Sequence, residues 1–475
     1  MKKLLKLISK NKVEFLSLLI LGLISFYLRF TDLGFHHFYG DEVKTLFLRK
    51  DESAFDFLME QRKGPVQFVM VWVVEKLVGF DEYFMRLPFA IFGMLLVYVF
   101  YYFVRKTLNQ NFKVSIFASF LVSLNGIYIA FSRTAQYQMV YLVFGFLSLI
   151  FFHKFLYSEK KTSKLINFVL SCVFFTLGLL THYDVLFFLL PLILIFNNYK
   201  KALLMFFCSA SASLLFYAPQ IYFGFFSTNT AGYLAKRIVG KEYLPSFTPY
   251  TFLLYNPLYL YLGVLLILAI LGYYLSSKEE KASLGKWFFI PFILLDFFVL
   301  VPGTHVHNYL FPLFIFAGIA FSKIKSKLAI PASILFLTAV TLIQTQVFLP
   351  KLNLGYPFSD SSLMGIDVQK LNKGYSTPIY GFVYNRNWKE IAEFMKKQKR
   401  VPSFTTNENK VVAEYYLYGY SFTDYDPNKP AEYYIEISNS QEIDKIIPVE
   451  PLRYEKIKSG ESYNIYRLKD SEIKK

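Results

Sequence analysis

The chain has 475 residues, 55% of them hydrophobic and 20% aromatic, with 54 Phe, 37 Tyr and only 18% charged side chains. With a mean hydropathy of +0.36, that balance excludes a soluble multidomain enzyme and marks a membrane protein. The basic excess is uneven: 32 Lys+Arg stand against 17 Asp+Glu before Lys351, and 19 against 17 from there on. The positive charge therefore belongs to the apolar part, where cytoplasmic loops need it, and no nucleic-acid partner is inferred.

The N-terminal MKKLLKLISKNK leads into an apolar run, 13–30, with no small-residue cleavage site before RFTD. It reads as a retained first helix rather than a signal peptide. Ten further runs follow at 85–104, 114–131, 138–157, 165–181, 185–197, 202–226, 251–275, 287–301, 308–321 and 328–349, which makes eleven spans. Cys172 and Cys208 both sit inside such runs with no Cys-x-x-Cys spacing, so neither a disulfide framework nor a cysteine zinc site is expected.

The connections on the side of the N-terminus carry twenty cations, among them Lys2, Lys3, Lys6 and Lys10, whereas the short connections opposite carry only Arg133. By the positive-inside rule the N-terminus is cytoplasmic. One more run, 65–80 (PVQFVMVWVVEKLVGF), carries Glu75 and Lys76 and would invert everything after it if it spanned. It is therefore expected to lie in the membrane interface as a juxtamembrane helix within one long outer loop, 31–86. The odd count leaves residues 350–475 outside the cytoplasm, after a membrane domain of residues 1–349. In that tail, turn signals at Gly355, Gly374 and Asp426-Pro427, a helical pattern in WKEIAEFMKKQKR, and strand-like EYYIEI and YNIYRL indicate a small α/β domain.

Polar groups gather on the outer face: His36, His37, His182, His305 and His307 of the six histidines, with Asp41, Glu42, Asp184 and Arg133. In FHHFYGDEVKTL, Gly40 permits a tight turn and Asp41-Glu42 presents adjacent carboxylates near the membrane surface. A helix cap at Asp41 is the plainer alternative. Lys63, in Arg62-Lys63-Gly64-Pro65, is suited to a lipid phosphate at headgroup depth, with simple snorkelling as its alternative. Asp296 falls within the run 287–301, where an acid normally faces a cavity or a partner. Asp424-Tyr425-Asp426 reads as a turn. No phosphate-binding glycine loop, dinucleotide fingerprint or His-Glu-x-x-His is present. Outside the cytoplasm group transfer needs an activated donor carried by the membrane, such as a polyprenyl-phosphate sugar.

These residues resemble a known family, the protein O-mannosyltransferase-like glycosyltransferases of the C superfold, including the bacterial lipid A aminoarabinose transferases. The resemblance covers nearly the whole chain. It runs through FYGDE, KGPVQFVMVW, GFDEYFMRLPFAIFG, NGIYIAFSRTAQYQM, LGLLTHYDVLFFLLP and VHNYLFPLFIFAGIAF. It implies Asp41 as the catalytic acid/base with Glu42 in support, and Lys63, Arg86 and Arg133 at the donor phosphate, with a purely structural ion pair to Glu82 or Asp81 as the alternative for Arg86. The chain departs from the family pattern at Gln136 and at Asn308, where arginines are expected, and His305 or His307 could stand in for them.

The expected protein is thus an α-helical polytopic membrane protein of about 11 transmembrane helices, glycosyltransferase C type, with a small C-terminal α/β extracytoplasmic domain. The expected function is inverting transfer of a sugar from a polyprenyl-phosphate donor to an extracytoplasmic lipid, glycan or protein at the cytoplasmic (inner) membrane. A lipid-linked sugar flippase or another transporter is the alternative. His182, Tyr183, Asp184, His305, His307 and Tyr309 are candidates for a donor or acceptor pocket. The sequence assigns no cofactor and leaves a divalent metal open.

Overall fold

The computed structural model describes residues 12–46, 53–61, 63–239, 248–299, 303–352, 355–370, 380–383, 386–398, 402–438, 440–441 and 453–469. Lys2, Lys3, Lys6, Lys10, Arg62 and Gly374 lie outside them. Helix α1 (Lys12–Phe30) ends just before Asp32, whose φ of +49° turns the chain out of the bundle. Among the described residues the segment after it forms three short helices, α2 (Gly40–Val43), α3 (Ala54–Glu60) and α4 (Pro65–Val78). Pro65 supplies a preset φ at the first position of α4 and Gly79 ends it at φ +80°. At 14 residues, α4 measures about 21 Å, shorter than the hydrocarbon core of a bilayer.

Helix α5 (Glu82–Tyr102) is capped by Asp81, which accepts from the amides of Tyr83 and Phe84, and runs on as a π turn to Thr107. Next come α6 (Phe112–Leu124), α7 (Gly126–Ser132), α8 (Gln138–Tyr157), α9 (Lys161–Leu179) and α10 (Leu189–Leu194). They are followed by α11 (Tyr199–Tyr222), α12 (Gly232–Val239), α13 (Thr248–Tyr255) and α14 (Leu260–Leu275). The series closes with α15 (Lys278–Phe297), α16 (Phe311–Lys323) and α17 (Ala329–Phe348).

Among the described residues six helices are long and apolar enough to cross a membrane, or seven when α6 and α7, bent by 61°, count as one. Shorter apolar stretches occupy Tyr183–Leu194, Leu260–Leu275 and Phe311–Lys323. The chain is a multi-pass membrane protein, and each of the eleven apolar runs read from the sequence overlaps a helix among the described residues. Two details differ. The run 251–275 is broken by Leu258 and Tyr259, both left-handed at φ +68° and +56°. Asp296 lies in the last turn of α15 rather than mid-span, because that helix starts early, at Lys278, on a Ser277–Glu280 capping box.

The bend between α6 and α7 has a local cause. Asn125 leaves helical geometry and accepts from the Ile127 amide, while the Gly126 amide donates to Asn256 Oδ1 at 2.9 Å. A Cβ at position 126 would lie 1.8 Å from the Tyr255 carbonyl oxygen, so only glycine permits this approach. The core beneath is aromatic: Phe146 meets Phe311 at 4.7 Å, Phe103 at 5.2 Å and Phe100 at 5.4 Å between ring centres.

The C-terminal domain starts with a hairpin of β1 (Ser361–Leu363) and β2 (Ile366–Val368). Helix α18 (Trp388–Lys396), β3 (Ser403–Thr406), α19 (Lys410–Tyr416) and β4 (Ser421–Phe422) follow. Strands β5 (Tyr433–Ile437), β6 (Tyr454–Ser459) and β7 (Tyr463–Leu468) complete a five-stranded sheet in the order β4-β3-β5-β7-β6. β3 pairs parallel with both β4 and β5, whereas β7 pairs antiparallel with β5 and β6, with Ile435 opposite Ile465. Strand β5 is buried on both sides, which is why its YYIEI is nearly continuous in apolar side chains. The 424–426 segment is irregular and leads into a turn at 427–428, with Asp426 accepting from the Asn428 amide.

Candidate functional site

The FYGDE segment is gripped from both halves of the chain. Tyr39 enters α2 in extended geometry, and its amide donates to Glu42 Oε2 at 2.9 Å. Glu42 also accepts from the Ala135 amide at 2.7 Å and from Arg86 through Nε and Nη2, both at 2.8 Å. From the C-terminal domain, Gln441 takes the Gly40 amide at 3.0 Å and Tyr416 takes the Phe38 amide at 2.9 Å. Gln441 is itself held by Glu408, whose carboxylate pairs with the buried Arg386 at 3.0 Å.

Asp41 is oriented differently from its neighbour. Its side chain is 34% exposed, Oδ1 pairs with Lys44 at 3.0 Å and Oδ2 accepts from the Tyr380 hydroxyl at 2.7 Å. Burial alone would push this carboxyl up, but Lys63, Lys44 and the Tyr380 hydroxyl outweigh it and hold it down at about 2. Asp41 is therefore an ionised acceptor at neutral pH.

Lys63 stands beside it. Its ammonium donates to Gln136 Oε1 at 3.3 Å and lies 4.7 Å over the Tyr137 ring. Gln136, where the family pattern has an arginine, thus serves as a partner of Lys63. The Tyr137 ring stacks on His182 at 3.8 Å, and His182 contacts Tyr183 at 3.9 Å. Gly64 makes the placement of Lys63 feasible, since a Cβ there would fall 2.0 Å from the Leu180 carbonyl oxygen.

A second, buried polar group adjoins this stack. Asp184 reaches His182 Nδ1 at 3.1 Å through Oδ1 and His305 Nδ1 at 2.7 Å through Oδ2, which also accepts from Asn308 at 3.2 Å. The Tyr141 hydroxyl lies 2.6 Å from both His307 Nε2 and Asn308 Oδ1. Asn308, at the other expected arginine position, is thus a partner of Asp184. Phe131 packs between His307 at 5.7 Å and Tyr380 at 5.9 Å, joining the two groups.

Of the residues expected at the site, Asp41, Lys63, His182, Tyr183, Asp184, His305 and His307 fall in this contiguous region. Four residues, Arg86, Arg133, Glu42 and Tyr309, sit differently from what the sequence led one to expect. Arg86, expected at the donor phosphate, is fully buried, and its five N–H bonds are all committed: two to Glu42 and one each to the carbonyls of Leu33, His36 and His37. Arg133, also fully buried, donates to the carbonyls of Leu28, Thr31 and Asp32 and ties off the end of α1. Glu42 is sealed from solvent with Arg86 and so holds the loop rather than meeting a substrate. Tyr309 packs on Phe288 and Phe292, at 5.8 and 5.6 Å, away from the histidines. Tyr380, Tyr137 and Tyr141 were missed, being three of 37 tyrosines without a distinguishing motif. Among the described residues no group of three His, Cys, Asp or Glu is arranged to hold a metal ion.

Residues 62–235 match the family model of dolichyl-phosphate-mannose-protein mannosyltransferases. A search of the curated proteins gives no match. Among solved structures, ArnT from Cupriavidus metallidurans bound to undecaprenyl phosphate superposes with a TM-score of 0.58 at 11% identity, covering 97% of this chain and 99% of that one. The archaeal oligosaccharyltransferase AglB from Archaeoglobus fulgidus, in complex with an inhibitory peptide and a dolichol-phosphate, gives a TM-score of 0.51 at 12% identity over 90% of this chain and 70% of its own. The arabinofuranosyltransferase AftD from Mycobacteria gives 0.51 at 9% identity, over 96% and 40%. The chain has the glycosyltransferase C fold, and the resemblance read from its sequence stands.

Proposed function

We propose that this chain is a membrane glycosyltransferase that moves a sugar from a polyprenyl-phosphate donor to an acceptor hydroxyl outside the cytoplasm, with inversion at the anomeric carbon. The N-terminus is then cytoplasmic and the C-terminal domain extracytoplasmic, as the lysine distribution requires. The observation that carries the reading is a partly exposed carboxylate, Asp41, set in the same polar group as a cation, Lys63, whose charge favours the ionised form.

The chemistry follows from that pairing. Asp41 takes the acceptor's proton as the acceptor oxygen bonds to the anomeric carbon. The bond from that carbon to the phosphate oxygen breaks, and the phosphate leaves with the electron pair. The Lys63 ammonium offsets the charge gathering on the phosphate. Aromatic rings around Tyr137 and His182 offer a surface for the sugar, and the undecaprenyl phosphate and dolichol-phosphate bound by ArnT and AglB support this donor class.

The test uses solubilised membranes of source cells lacking the gene, which supply donor and acceptor whatever the sugar. Purified wild-type protein should release polyprenyl phosphate from them, measured by mass spectrometry, and Asp41→Asn should not. Equal release by both would overturn the assignment, and lipid movement across reconstituted vesicles by protein that releases no polyprenyl phosphate would favour a flippase.

A further inference from the structure

Tyr380 belongs to the C-terminal domain in sequence but is anchored by the membrane domain. Its amide donates to the Tyr255 hydroxyl at 2.9 Å. Gly381 follows at φ +76°, so close to α7 that a Cβ would lie 2.6 Å from the Ala130 backbone. Phe382 is fully buried, stacked on Tyr255 at 4.8 Å and on Phe348 at 5.5 Å, and its carbonyl accepts from the Tyr39 hydroxyl. The Tyr380 ring packs against Phe131 and, at 6.2 Å, against Tyr39. Segment 380–382 therefore holds the loop at two points two residues apart, Tyr39 and Asp41.

The bond from Tyr380 to Asp41 has one direction. Burial pushes the Tyr380 phenol well above its usual range, so it stays protonated, and an ionised carboxylate only accepts. The two carboxylate oxygens are thereby made unequal. Oδ2 is held by a buried donor, whereas Oδ1 faces Lys44, whose side chain is 50% exposed. A surface pair of this kind is weak and yields to a competing ligand.

We propose that Tyr380 is a positioning residue of the active site: through it the C-terminal domain fixes the Asp41 carboxylate by Oδ2 and presents Oδ1 to the acceptor hydroxyl. This rests on the glycosyltransferase reading given above. It makes the extracytoplasmic domain part of the catalytic apparatus rather than an appended binding module. An unanchored aspartate turns about its side-chain bonds, so holding one oxygen raises the fraction of time the other is aligned with the acceptor.

The experiment measures polyprenyl phosphate release in the same membranes, with Asp41→Asn as the blank. Tyr380→Phe should lower the maximal rate about tenfold or more, while the amount of membrane giving half-maximal rate changes less than about twofold. Tyr255→Phe loosens the same segment but keeps the Tyr380 hydroxyl, and should keep most of the maximal rate. If Tyr380→Phe matches wild type, shifts only the half-saturating amount, or behaves like Tyr255→Phe, the positioning role is overturned while an inactive Asp41→Asn leaves the parent reading intact. Release that is the same in wild type and Asp41→Asn overturns both.

Discussion

Arg86 and Glu42 meet side-on through two 2.8 Å hydrogen bonds, with neither side chain reaching solvent. This pair joins α5 to the loop carrying Asp41, and every remaining donor of the guanidinium closes on that same loop. Removing one member leaves the other charged and buried, which costs about 3–5 kcal/mol. Arg86→Leu and Glu42→Gln should each lower the melting temperature and the yield of folded protein. Undecaprenyl phosphate binding per folded molecule should stay near wild type, and a selective loss of binding in Arg86→Leu would restore that residue to the donor phosphate.

Lys63→Met should behave in the opposite way. The side chain lies over the Tyr137 ring and donates to the Gln136 amide oxygen, and Met keeps its length and its contact with the ring, so stability should change little. A charge-assisted contact to phosphate is worth roughly 1.5–3 kcal/mol, so undecaprenyl phosphate affinity should fall by about tenfold or more. Titration of labelled undecaprenyl phosphate against both proteins checks this, and equal affinity would exclude Lys63 from the phosphate.

Acid should unfold the protein through three buried imidazoles. Burial drives His37 and His182 down to about 4 and pushes His36 well below its ordinary value, with Arg86 and Arg386 adding to the effect on His36 and His37. Glu82 and Asp184 oppose it at His37 and His182 respectively. Because the unfolded chain protonates these rings at an ordinary pKa of about 6.5 and the folded one does not, stability falls as pH drops from about 6.5 toward 4. Each of His37 and His182 contributes on the order of 3 kcal/mol to that loss. Melting temperatures at neutral and acid pH should therefore diverge, and His182→Gln should narrow the gap; a flat profile would contradict the burial of these rings.

The acid dependence of turnover should differ from that of stability. Asp41, held down at about 2, is deprotonated throughout the range in which the histidines titrate. Any loss of rate between about pH 6.5 and 4 should follow the folded fraction, and a rate that falls while the protein stays folded would implicate another group.

Gly64→Ala tests the seating of Lys63. The added carbon would press on the Leu180 backbone, 2.0 Å from its oxygen and 2.3 Å from its carbonyl carbon. Backbone must shift, at a cost of about 1–3 kcal/mol. The shift displaces Lys63, so donor affinity should fall together with stability, measured by the same titration and melting experiments.

The apolar spans were legible because membrane helices announce themselves by composition, and the polar group around Asp41 and Lys63 because a charge beside a span is rare enough to stand out. The surroundings of the arginines were not legible. Sequence shows that a guanidinium is present but not whether its donors are already taken: Arg86 divides its donors between Glu42 and three backbone carbonyls, and Arg133 donates to carbonyls at the end of α1. Asp41 and Glu42 look equivalent as neighbours, yet successive positions on a helical turn point about 100° apart, so one faces the site and the other the core. Tyr380 lies 339 positions from Asp41, and no local pattern marks it.

The double grip on the FYGDE loop sets a rule for recombination. Tyr39, Gly40, Asp41 and Glu42 answer to Phe382, Gln441, Tyr380 and Arg86 respectively. A chimera that joins this membrane domain to a relative's C-terminal domain will work only if the three distal contacts travel with it. Across descendants of this chain, a substitution at 41 should be accompanied by a change at 380, the one side-chain-to-side-chain contact of the three, whereas 42 should drift only in step with 86.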